Sequence, residues 1–354
     1  MQKLGDYIRE VDVRNKDLKV TNLLGLSINK SFIPSIANLI GADLSNYKII
    51  ERKHFVYVPV TSRNGEKLSI ALLNDCENAI VSQAYTVFEI IDKEKLLPEY
   101  LMMWFKRAEF DRYARFHSHG SAREVFDWSE MCDVLLPIPS IEQQREIVSE
   151  YETISKRIKL NEQIIKNLEA TAQTLYHKMF VEGIDKENLP EGWRIGTLGE
   201  VCEIKYGKAH EGIHDGLIPI YGSGGIMRFG NKSLYTNESV LIPRKGSLNN
   251  IFFVDNPFWT VDTMFYTEMK LSCVAKYVYF NLKQYDFLSM DAGSAVPSMT
   301  TSVLNQIELI IPTLDTLEQF DNQVSTFFSK NKIKKQENEK LTELQSLLLA
   351  KMGQ

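Results

Sequence analysis

From about residue 120 onward the chain repeats itself at a constant spacing of 173 positions (293 − 120). The matching segments are Gly120-Ser121-Ala122 with Gly293-Ser294-Ala295, Ile138-Pro139 with Ile311-Pro312, and Lys178-Met179 with Lys351-Met352. A constant offset over some 60 residues leaves no room for insertions. A pair of long helices attached to the same kind of body would impose such a constraint.

The opening of the chain also recurs, with a different spacing. Leu4-Gly5-Asp6 matches Leu198-Gly199-Glu200 at an offset of 194 (198 − 4), so the variable part of the first copy is 21 residues longer (194 − 173). Two related bodies of different content, each followed by the same kind of helix, suggest one molecule that reads two different things at a fixed distance.

Composition places the chain among ordinary globular proteins. Its 354 residues are 44% hydrophobic and 25% charged, which allows two or three domains with their own cores. No apolar stretch resembles a signal peptide or a membrane span, so we expect a cytoplasmic protein. Four widely spaced cysteines without a CxxC pair predict reduced thiols rather than a zinc knuckle or a disulfide framework.

The net charge of −5 argues against a nucleic-acid binder that works through overall charge. Local clusters of basic residues can still attract phosphate. One cluster comprises Lys48, Arg52, Lys53, Arg63 and Lys67, and the other comprises Lys205, Lys208, Arg228, Lys232, Arg244 and Lys245. The alternative interpretation of either cluster is a solvated charged face.

Each copy ends in a predicted helix with an apolar seam in alternating steps of four and three, typical of a coiled coil. The first seam is Ile147, Tyr151, Ile154, Ile158, Asn161, Ile165, Leu168, Ala172, Leu175 and Met179. The second is Phe320, Val324, Phe327, Asn331, Lys334, Asn338, Leu341, Gln345, Leu348 and Met352. Because each helix has a single apolar stripe, each requires one long partner.

Antiparallel pairing of the two helices about residues 163 and 336 would place Asn161 level with Asn338. Ile154, Ile158, Asn161, Ile165, Leu168, Leu175, Phe327, Asn338, Leu341 and Leu348 are then the inter-helix packing residues. A helix of about 33 residues is roughly 50 Å long, enough to hold two bodies one or more turns of B-DNA apart, at roughly 34 Å per turn. A coiled coil that only mediates oligomerisation is the alternative.

Both bodies are predicted to be α+β. Strands are expected at 55–58, 80–81, 240–242 and 251–254, and helices at 98–115 and 275–287. We expect a first body at 1–140, a long helix and linker at 141–187, a second body at 188–312 and a second long helix at 313–354.

Three motifs suggest catalytic or cofactor chemistry only superficially. His210-Glu211-Gly212-Ile213-His214 matches the zinc-protease pattern HExxH, but the surrounding glycines and Pro219 favour a loop over the required helix. Asp255-Asn256-Pro257-Phe258 lacks the second proline of the adenine methyltransferase signature. His117 and His119 could share one face of a strand, but no third ligand is evident, so we expect no metal site.

The glycines of Tyr221-Gly222-Ser223-Gly224-Gly225 precede no predicted helix and no Walker lysine follows them. Such a loop brings backbone N–H groups close to a partner such as phosphate, or else simply reverses the chain. Pro243-Arg244-Lys245-Gly246-Ser247 follows an apolar strand, where the arginine could contact guanine and the lysine or serine could contact phosphate.

Together these segments resemble the specificity (S) subunit of type I restriction-modification systems over the whole chain. The segments that carry the resemblance are Leu189 to Trp193, Leu198 to Glu200, Ile218 to Ile226, Pro243 to Ser247, Trp259 to Thr263 and the Ile-Pro entry to each helix. The first body resembles a different recognition-domain type of that family, through 26–30, 32–35 and 100–105.

The resemblance implies an α+β fold of two target-recognition domains separated by two antiparallel helices, with a pseudo-two-fold repeat. It implies a non-catalytic subunit that reads a bipartite double-stranded DNA sequence. Expected partners are two methyltransferase (M) subunits that carry S-adenosylmethionine and restriction (R) subunits that use ATP and magnesium, with no cofactor on this chain. A coiled-coil scaffold without DNA specificity is the alternative, and a stand-alone methyltransferase lacks its motifs.

The residues expected to bind DNA lie in both bodies. They are Lys30, Arg52, Lys53, Arg63, Lys67, His117, His119 and Arg123 in the first, and Lys205, Lys208, Tyr221, Gly222, Ser223, Gly224, Gly225, Arg228, Arg244, Lys245 and Ser247 in the second. Because the sequence shows no counterpart of the Tyr221–Ile226 loop in the first body, we expect the two half-sites to differ.

Replacing both Asn161 and Asn338 by leucine should raise the thermal stability of the chain while weakening the register of the helices, because a polar layer specifies register at a cost in stability. Thermal unfolding measures the first effect. A crystal structure with the two asparagines more than one helical turn apart would contradict the predicted pairing.

Overall fold

The computed structural model describes residues 1–35, 43–62, 65–120, 123–289 and 298–353. Contacts divide the chain into two compact units, one of Met1–Leu160 with Glu337–Gln354 and one of Asn161–Gln336. Among the described residues, no helix combines the length and the apolar character needed to cross a membrane.

The described residues of the first unit form ten short strands and three short α-helices before the long helix. The strands are β1 (Gln2–Lys3), β2 (Ile8–Glu10), β3 (Leu24–Leu26), β4 (Phe32–Pro34), β5 (Lys48–Glu51), β6 (Phe55–Tyr57), β7 (Ile70–Leu72), β8 (Asn78–Val81), β9 (Thr86–Ile90) and β10 (Leu135–Leu136). The helices are α1 (Pro98–Phe105), α2 (Ala108–Phe116), α3 (Trp128–Cys132) and the long α4 (Ile141–Phe180), of which the first 20 residues belong to this unit.

The described residues of the second unit form nine strands, and its helices again include a long one. The strands are β11 (Arg194–Thr197), β12 (Cys202–Tyr206), β13 (Asp215–Gly222), β14 (Gly225–Gly230), β15 (Ser239–Pro243), β16 (Phe252–Val254), β17 (Trp259–Thr260), β18 (Met264–Met269) and β19 (Glu308–Ile311). The helices are α5 (Leu198–Val201), α6 (Ala275–Leu282), α7 (Thr301–Asn305) and the long α8 (Leu314–Lys351), which reaches into the residues of the first unit.

A four-stranded antiparallel sheet with the same strand order forms the centre of each unit. The order is β2-β9-β6-β7 in the first unit and β12-β18-β15-β16 in the second. The following short helices also correspond, because α3 and α7 begin 173 residues apart (301 − 128), as do α4 and α8 (314 − 141). The predicted duplication and the α+β fold class are therefore confirmed.

A two-stranded ladder joins the start of each unit to the strand before its long helix. Gln2 pairs with Leu136 in the first unit, and Gly196 pairs with Leu309 in the second. The members of these two pairs differ by 194 and 173 positions (196 − 2 and 309 − 136), the two offsets found in the sequence. The repeat therefore extends to the register of strand pairing.

The two units differ most in one segment of the chain. It lies between β2 and β6 in the first unit and between β12 and β15 in the second. The first unit inserts the hairpin β3–β4 there, and the second inserts the longer hairpin β13–β14. Strand β13 also pairs in parallel with β17, as residue Leu23 just before β3 does with Ile80. The β13–β14 hairpin, whose turn has no counterpart in the sequence of the first body, therefore corresponds in place to the β3–β4 hairpin but differs from it in length and sequence. The expectation that the two half-sites differ remains a prediction.

Each unit buries its own aromatic core. In the first, the parallel rings of Phe55 and Phe88 lie 4.9 Å apart, and Phe105 packs edge-on against both. In the second, the ring of Phe180 packs edge-on against Tyr277 at 4.8 Å and against Phe320 at 5.1 Å. These rings hold α1 against strands β6 and β9 in the first unit and join α4, α6 and α8 in the second.

The long helices run antiparallel within each unit. In the first unit, Arg157 contacts Glu337 at 2.6 Å and Ser155 contacts Gln345 at 2.6 Å, so numbering falls along α4 as it rises along α8. In the second unit, Glu169 contacts Asn331 at 3.0 Å. All twenty predicted seam positions are buried or half-buried, which is the burial expected of a helix with one partner-facing stripe.

Several predicted boundaries need correction. The helices contain 40 and 38 residues rather than about 33. The predicted helix 98–115 is two helices, α1 and α2, separated at Lys106-Arg107, and α6 ends at Leu282 rather than at Phe287. At the break between α1 and α2, the buried guanidinium of Arg107 lies 4.2 Å from the ring of Trp104. The predicted domain boundaries remain a prediction.

One ion pair occurs in both units with its charges exchanged. Glu238, just before β15, contacts Lys276 in the second residue of α6 at 2.8 Å. Lys53, at the equivalent place before β6, pairs with Glu99 in the second residue of α1. The equivalence of strands β6 and β15 follows from matched hydrogen bonds, in which the carbonyls of Pro59 and Arg244 accept from residues 126 and 299 at 2.9 Å.

Lys276 is the more buried of the two cations, with 5% of its side chain exposed. Its ammonium also contacts Asp321 of α8 at 2.9 Å, so it joins three elements of the second unit. Burial opposes the charged form, but the hydrogen bonds to Glu238 and Asp321 prevail, and the pKa of Lys276 is raised.

We expect Lys276→Met to lower the free energy of unfolding by about 3 kcal/mol, because it leaves two carboxylates without their shared cation. Lys186→Met is the matched control, because the pair of Lys186 with Glu308 is exposed and should contribute less than about 1 kcal/mol. Urea denaturation of both variants measures the difference. Equal losses in the two variants would show that the buried triad adds no more stability than the exposed pair.

Candidate nucleic-acid interface

The hairpin turn of the second unit borders an open cavity of about 510 Å³. Three segments form its wall: the loop after β12, the β13–β14 turn and the residues that follow β17. The lining residues are Ala209, His210, Glu211, Gly222, Ser223, Gly224, Met227, Val261, Asp262 and Thr263. The glycines therefore border a concave surface rather than forming only a chain reversal.

Arg244 lies at the mouth of this region, directly after β15. Its backbone N–H donates to the carbonyl of Thr263 at 2.8 Å, and its guanidinium donates to the carbonyl of Asp262 at 3.3 Å. The guanidinium also lies over the ring of Tyr206, 5.4 Å from the centroid. These contacts orient a half-exposed fork of donors and leave its other N–H groups for a partner.

Two glycines shape these loops, Gly246 at a close approach between them and Gly225 at the turn of the hairpin. Gly246 has φ +84°, and a side chain there would come within 2.8 Å of the hydroxyl of Ser223. Gly225 has φ +116° where the hairpin reverses. The amide of Asn250 reinforces the same contact by donating to the carbonyl of Ser223 at 2.9 Å. The PRKGS segment and the glycine turn are thus parts of one surface.

The side chains of some residues predicted to bind DNA contact other parts of the second unit. The ring of Tyr221 packs 5.8 Å from Phe252, and burial raises the pKa of its hydroxyl. The guanidinium of Arg228 donates to the carbonyls of His210 and Ile213 at 2.8 and 3.0 Å. Gly222 is buried. Gly222 lines the cavity, and Tyr221 and Arg228 contact segments beside it, so none of the three is among the proposed contacts.

Three further residues of the second unit that are predicted to bind DNA are at the surface. Lys208, Lys245 and Ser247 are exposed, while Lys205 is paired with Glu203. The HExxH-like segment lies between β12 and β13 outside any helix, as expected. There the ring of His210 lies 3.3 Å from the guanidinium of Arg228.

Two predicted cations of the first unit are structural. The side chain of Lys30 is only 6% exposed, and its ammonium contacts Asp111 at 2.7 Å and the carbonyl of Phe105. Burial, the dominant cause, lowers the pKa of Lys30. Lys53 pairs with Glu99 and donates to Asn74 at 2.8 Å. The sequence shows that these positions are lysines, but it does not show that Asp111 and Glu99 pair with them.

The other described cations of the first unit that are predicted to bind DNA are at the surface. Arg52 pairs with Glu77 at 2.7 Å on the surface. Lys67 is exposed in the loop after β6, and Arg123 is exposed before α3. Arg63 lies outside the described residues. Lys67 and Lys245 both follow equivalent strands, β6 and β15.

His117 and His119 do not share a strand, contrary to the expectation. His117 caps the C-terminus of α2, and His119 forms an isolated bridge with Val125. The structure adds a third group that the sequence did not reveal, because Glu130 of α3 contacts His117 at 2.7 Å.

Sequence reasoning also missed the acidic side chains of the cavity, Glu211 and Asp262. A signal existed, since Asp262 belongs to the Trp259–Thr263 segment that carried the family resemblance. Basic residues are predicted to bind DNA because phosphate attracts cations. The side chains that accept hydrogen bonds from base amino groups are acidic or neutral.

Comparison with known proteins agrees with this architecture. The sequence model of the type I restriction modification DNA specificity domain matches residues 12–170 and 190–343. The chain is 20% identical to the HindI specificity subunit, a type I restriction enzyme component of Haemophilus influenzae, covering 99% of this chain and 97% of that protein. It is 22% identical to the MjaIX specificity subunit of Methanocaldococcus jannaschii, covering 68% and 65% respectively.

A solved structure has the same fold. The S subunit of a type I restriction-modification system from M. genitalium superposes with a TM-score of 0.65 at 16% identity, covering 100% of this chain and 95% of that one. The family match spans most of the chain and occurs twice, as the structural repeat does. The chain therefore belongs to the family of type I restriction-modification specificity subunits, the DNA-recognition components of those systems.

Proposed function

We propose that this specificity subunit reads an asymmetric bipartite DNA sequence, one half through each unit. The observation that carries the proposal is the repeated four-stranded sheet with a different hairpin inserted at the same place. A shared scaffold with exchanged reading elements provides two related sites of different specificity. The paired helices would then fix the spacing between the half-sites.

The chemistry of the second unit supports contact with base edges as well as phosphate. Arg244 offers a forked donor, and Asp262 and Glu211 offer carboxylate acceptors a short distance away. Arginine recognises the acceptor pair of guanine, and carboxylates accept from the amino group of cytosine. The exposed Lys208 and Lys245 have the chemistry of phosphate contacts.

Exposed apolar side chains on the same hairpin add a third kind of contact. Ile226, Met227 and Phe229 of β14 are each about half exposed, and Met227 also lines the cavity. Apolar groups in a DNA interface contact the thymine methyl group. The hairpin and the segments beside it, which carry Arg244, Glu211 and Asp262, therefore offer donor, acceptor and apolar groups of the kinds that complement the major groove.

The proposal makes the chain a non-catalytic partner of other subunits. Two M subunits would supply S-adenosylmethionine and adenine methylation, and R subunits would supply the ATP- and magnesium-dependent steps. A partner's basic surface can compensate for the net charge of −5 on this chain. The competing proposal, a scaffold without sequence specificity, has no need of different hairpins in otherwise matching units.

The function is tested by single-molecule methylation sequencing of DNA from cells that express this chain with its M subunit. Two different short motifs separated by a fixed spacer, methylated only when both are present, are expected. Cells expressing the M subunit alone are the control. A palindromic motif, a single uninterrupted motif or methylation independent of this chain would contradict the proposal.

Arg244→Ala should weaken binding of the assembled methyltransferase to its cognate DNA by about 1 to 3 kcal/mol and relax specificity at one base position of one half-site. Fluorescence anisotropy with a set of single-base variants of the site measures both effects. Binding that weakens equally for every sequence would reduce Arg244 to a phosphate contact.

Lys245→Ala should instead weaken binding to all sequences alike and reduce the slope of log affinity against log salt by about one. Lys186→Ala, an exposed lysine paired with Glu308, is the matched control and should leave both quantities unchanged. Unchanged affinity and salt dependence in both Arg244→Ala and Lys245→Ala would remove this loop from the interface.

A further inference from the structure

We propose that the first unit contains a binding site for one zinc-class divalent cation, formed by His117, His119 and Glu130. One potential ligand atom from each residue lies within 4.8 Å of the others. Nδ1 of His117 is 2.7 Å from a carboxylate oxygen of Glu130, and Nε2 of His119 is 3.9 Å from the other oxygen. Ligands around tetrahedral zinc lie about 3.3 Å apart, given metal–ligand distances of about 2.0 to 2.2 Å.

The backbones of all three residues are fixed independently. His117 closes α2 by donating its backbone N–H to Tyr113 at 3.0 Å, and its ring stacks on that of Tyr113 at 4.2 Å. His119 exchanges two backbone hydrogen bonds with Val125, at 3.1 and 2.9 Å. Glu130 lies in α3. Only small side-chain rotations are then needed to converge on one ion.

The charge balance of the cluster favours a cation. Throughout the described part of the chain, the ion-pair partners of Glu130 are the two histidines. Histidine changes charge near neutral pH, and its neutral form is the metal ligand. A divalent ion bound between the three groups would place a permanent positive charge against the carboxylate of Glu130, and Nδ1 of His117 would exchange its 2.7 Å contact with that carboxylate for a bond to the ion.

The donor set indicates which ions fit. Two imidazole nitrogens and one carboxylate form a ligand set typical of zinc sites, in which water completes the coordination. Cobalt, nickel and copper ions share the preference for imidazole. Magnesium and calcium prefer oxygen ligands throughout, so they should compete poorly. A bound ion would connect the end of α2, the His119–Val125 bridge and α3.

The test uses the full-length chain without a polyhistidine tag, freed of metal by a chelator and titrated with cobalt(II). Visible absorption reports tetrahedral nitrogen and oxygen coordination, and the absence of sulfur-to-cobalt charge transfer excludes the cysteines. Zinc(II) is then titrated as a competitor, and magnesium is added in excess as the negative control. Thermal unfolding with and without zinc gives a second readout.

We expect one cobalt ion per chain, displaced by zinc and not by magnesium, with a higher unfolding temperature for the loaded chain. Affinity should fall at least 10-fold in His119→Ala and in Glu130→Gln. His119 is 70% exposed, so its variant should fold, which circular dichroism checks. His214→Ala, in the HExxH-like loop of the second unit, is the matched control and should bind as the native chain does.

Three results would overturn the proposal. They are the absence of saturable binding, unchanged affinity in both His119→Ala and Glu130→Gln, and an equal loss in His214→Ala. The cluster would then be a hydrogen-bonded histidine–carboxylate group only. Because no DNA or partner subunit takes part, the outcome is independent of the proposed recognition function.

Discussion

The antiparallel ladder between the start of each unit and the strand before its long helix is the constraint on which the repeat depends. It pairs Gln2 with Leu136 and, in the second unit, Gly196 with Leu309. In each unit, the register of this ladder fixes where the long helix begins, because a slip of one residue would turn every side chain of the strand to the opposite face. Insertions are consequently tolerated within each body but not between the ladder and the helix.

Within the two units, different residues fill the same structural role. The cation of the shared ion pair comes from a strand entry as Lys53 in one unit and from a helix as Lys276 in the other. The hairpins occupy equivalent places, yet one turn places the side chain of Lys30 in the interior and the other presents glycines to an open cavity. The two units therefore differ in the hairpins, the segments proposed to contact DNA.

Much of the architecture could be predicted from the sequence, because helix seams and repeat offsets are local or periodic signals. Each predicted seam position, including Asn161 and Asn338, is buried or half-buried. The candidate site was less predictable. Lys30 and Arg228 have the composition of phosphate contacts, but tertiary contacts with Asp111 and the 210–213 loop occupy them. The contact of Glu130 with His117 is likewise long-range in character and follows from the packing of α2 and α3.

Interchangeability of the two halves is the central claim, and a fragment ending near Glu187 tests it most directly. In the full chain Met352 is buried in the first core, and Met179, its partner in the repeat, packs on the second. A second copy of the fragment should supply Met179 in place of Met352, giving a symmetric dimer. Methylation mapping with the M subunit should then find an inverted repeat of the first half-site. A monomeric fragment, or methylation of the original asymmetric sequence, would contradict the account.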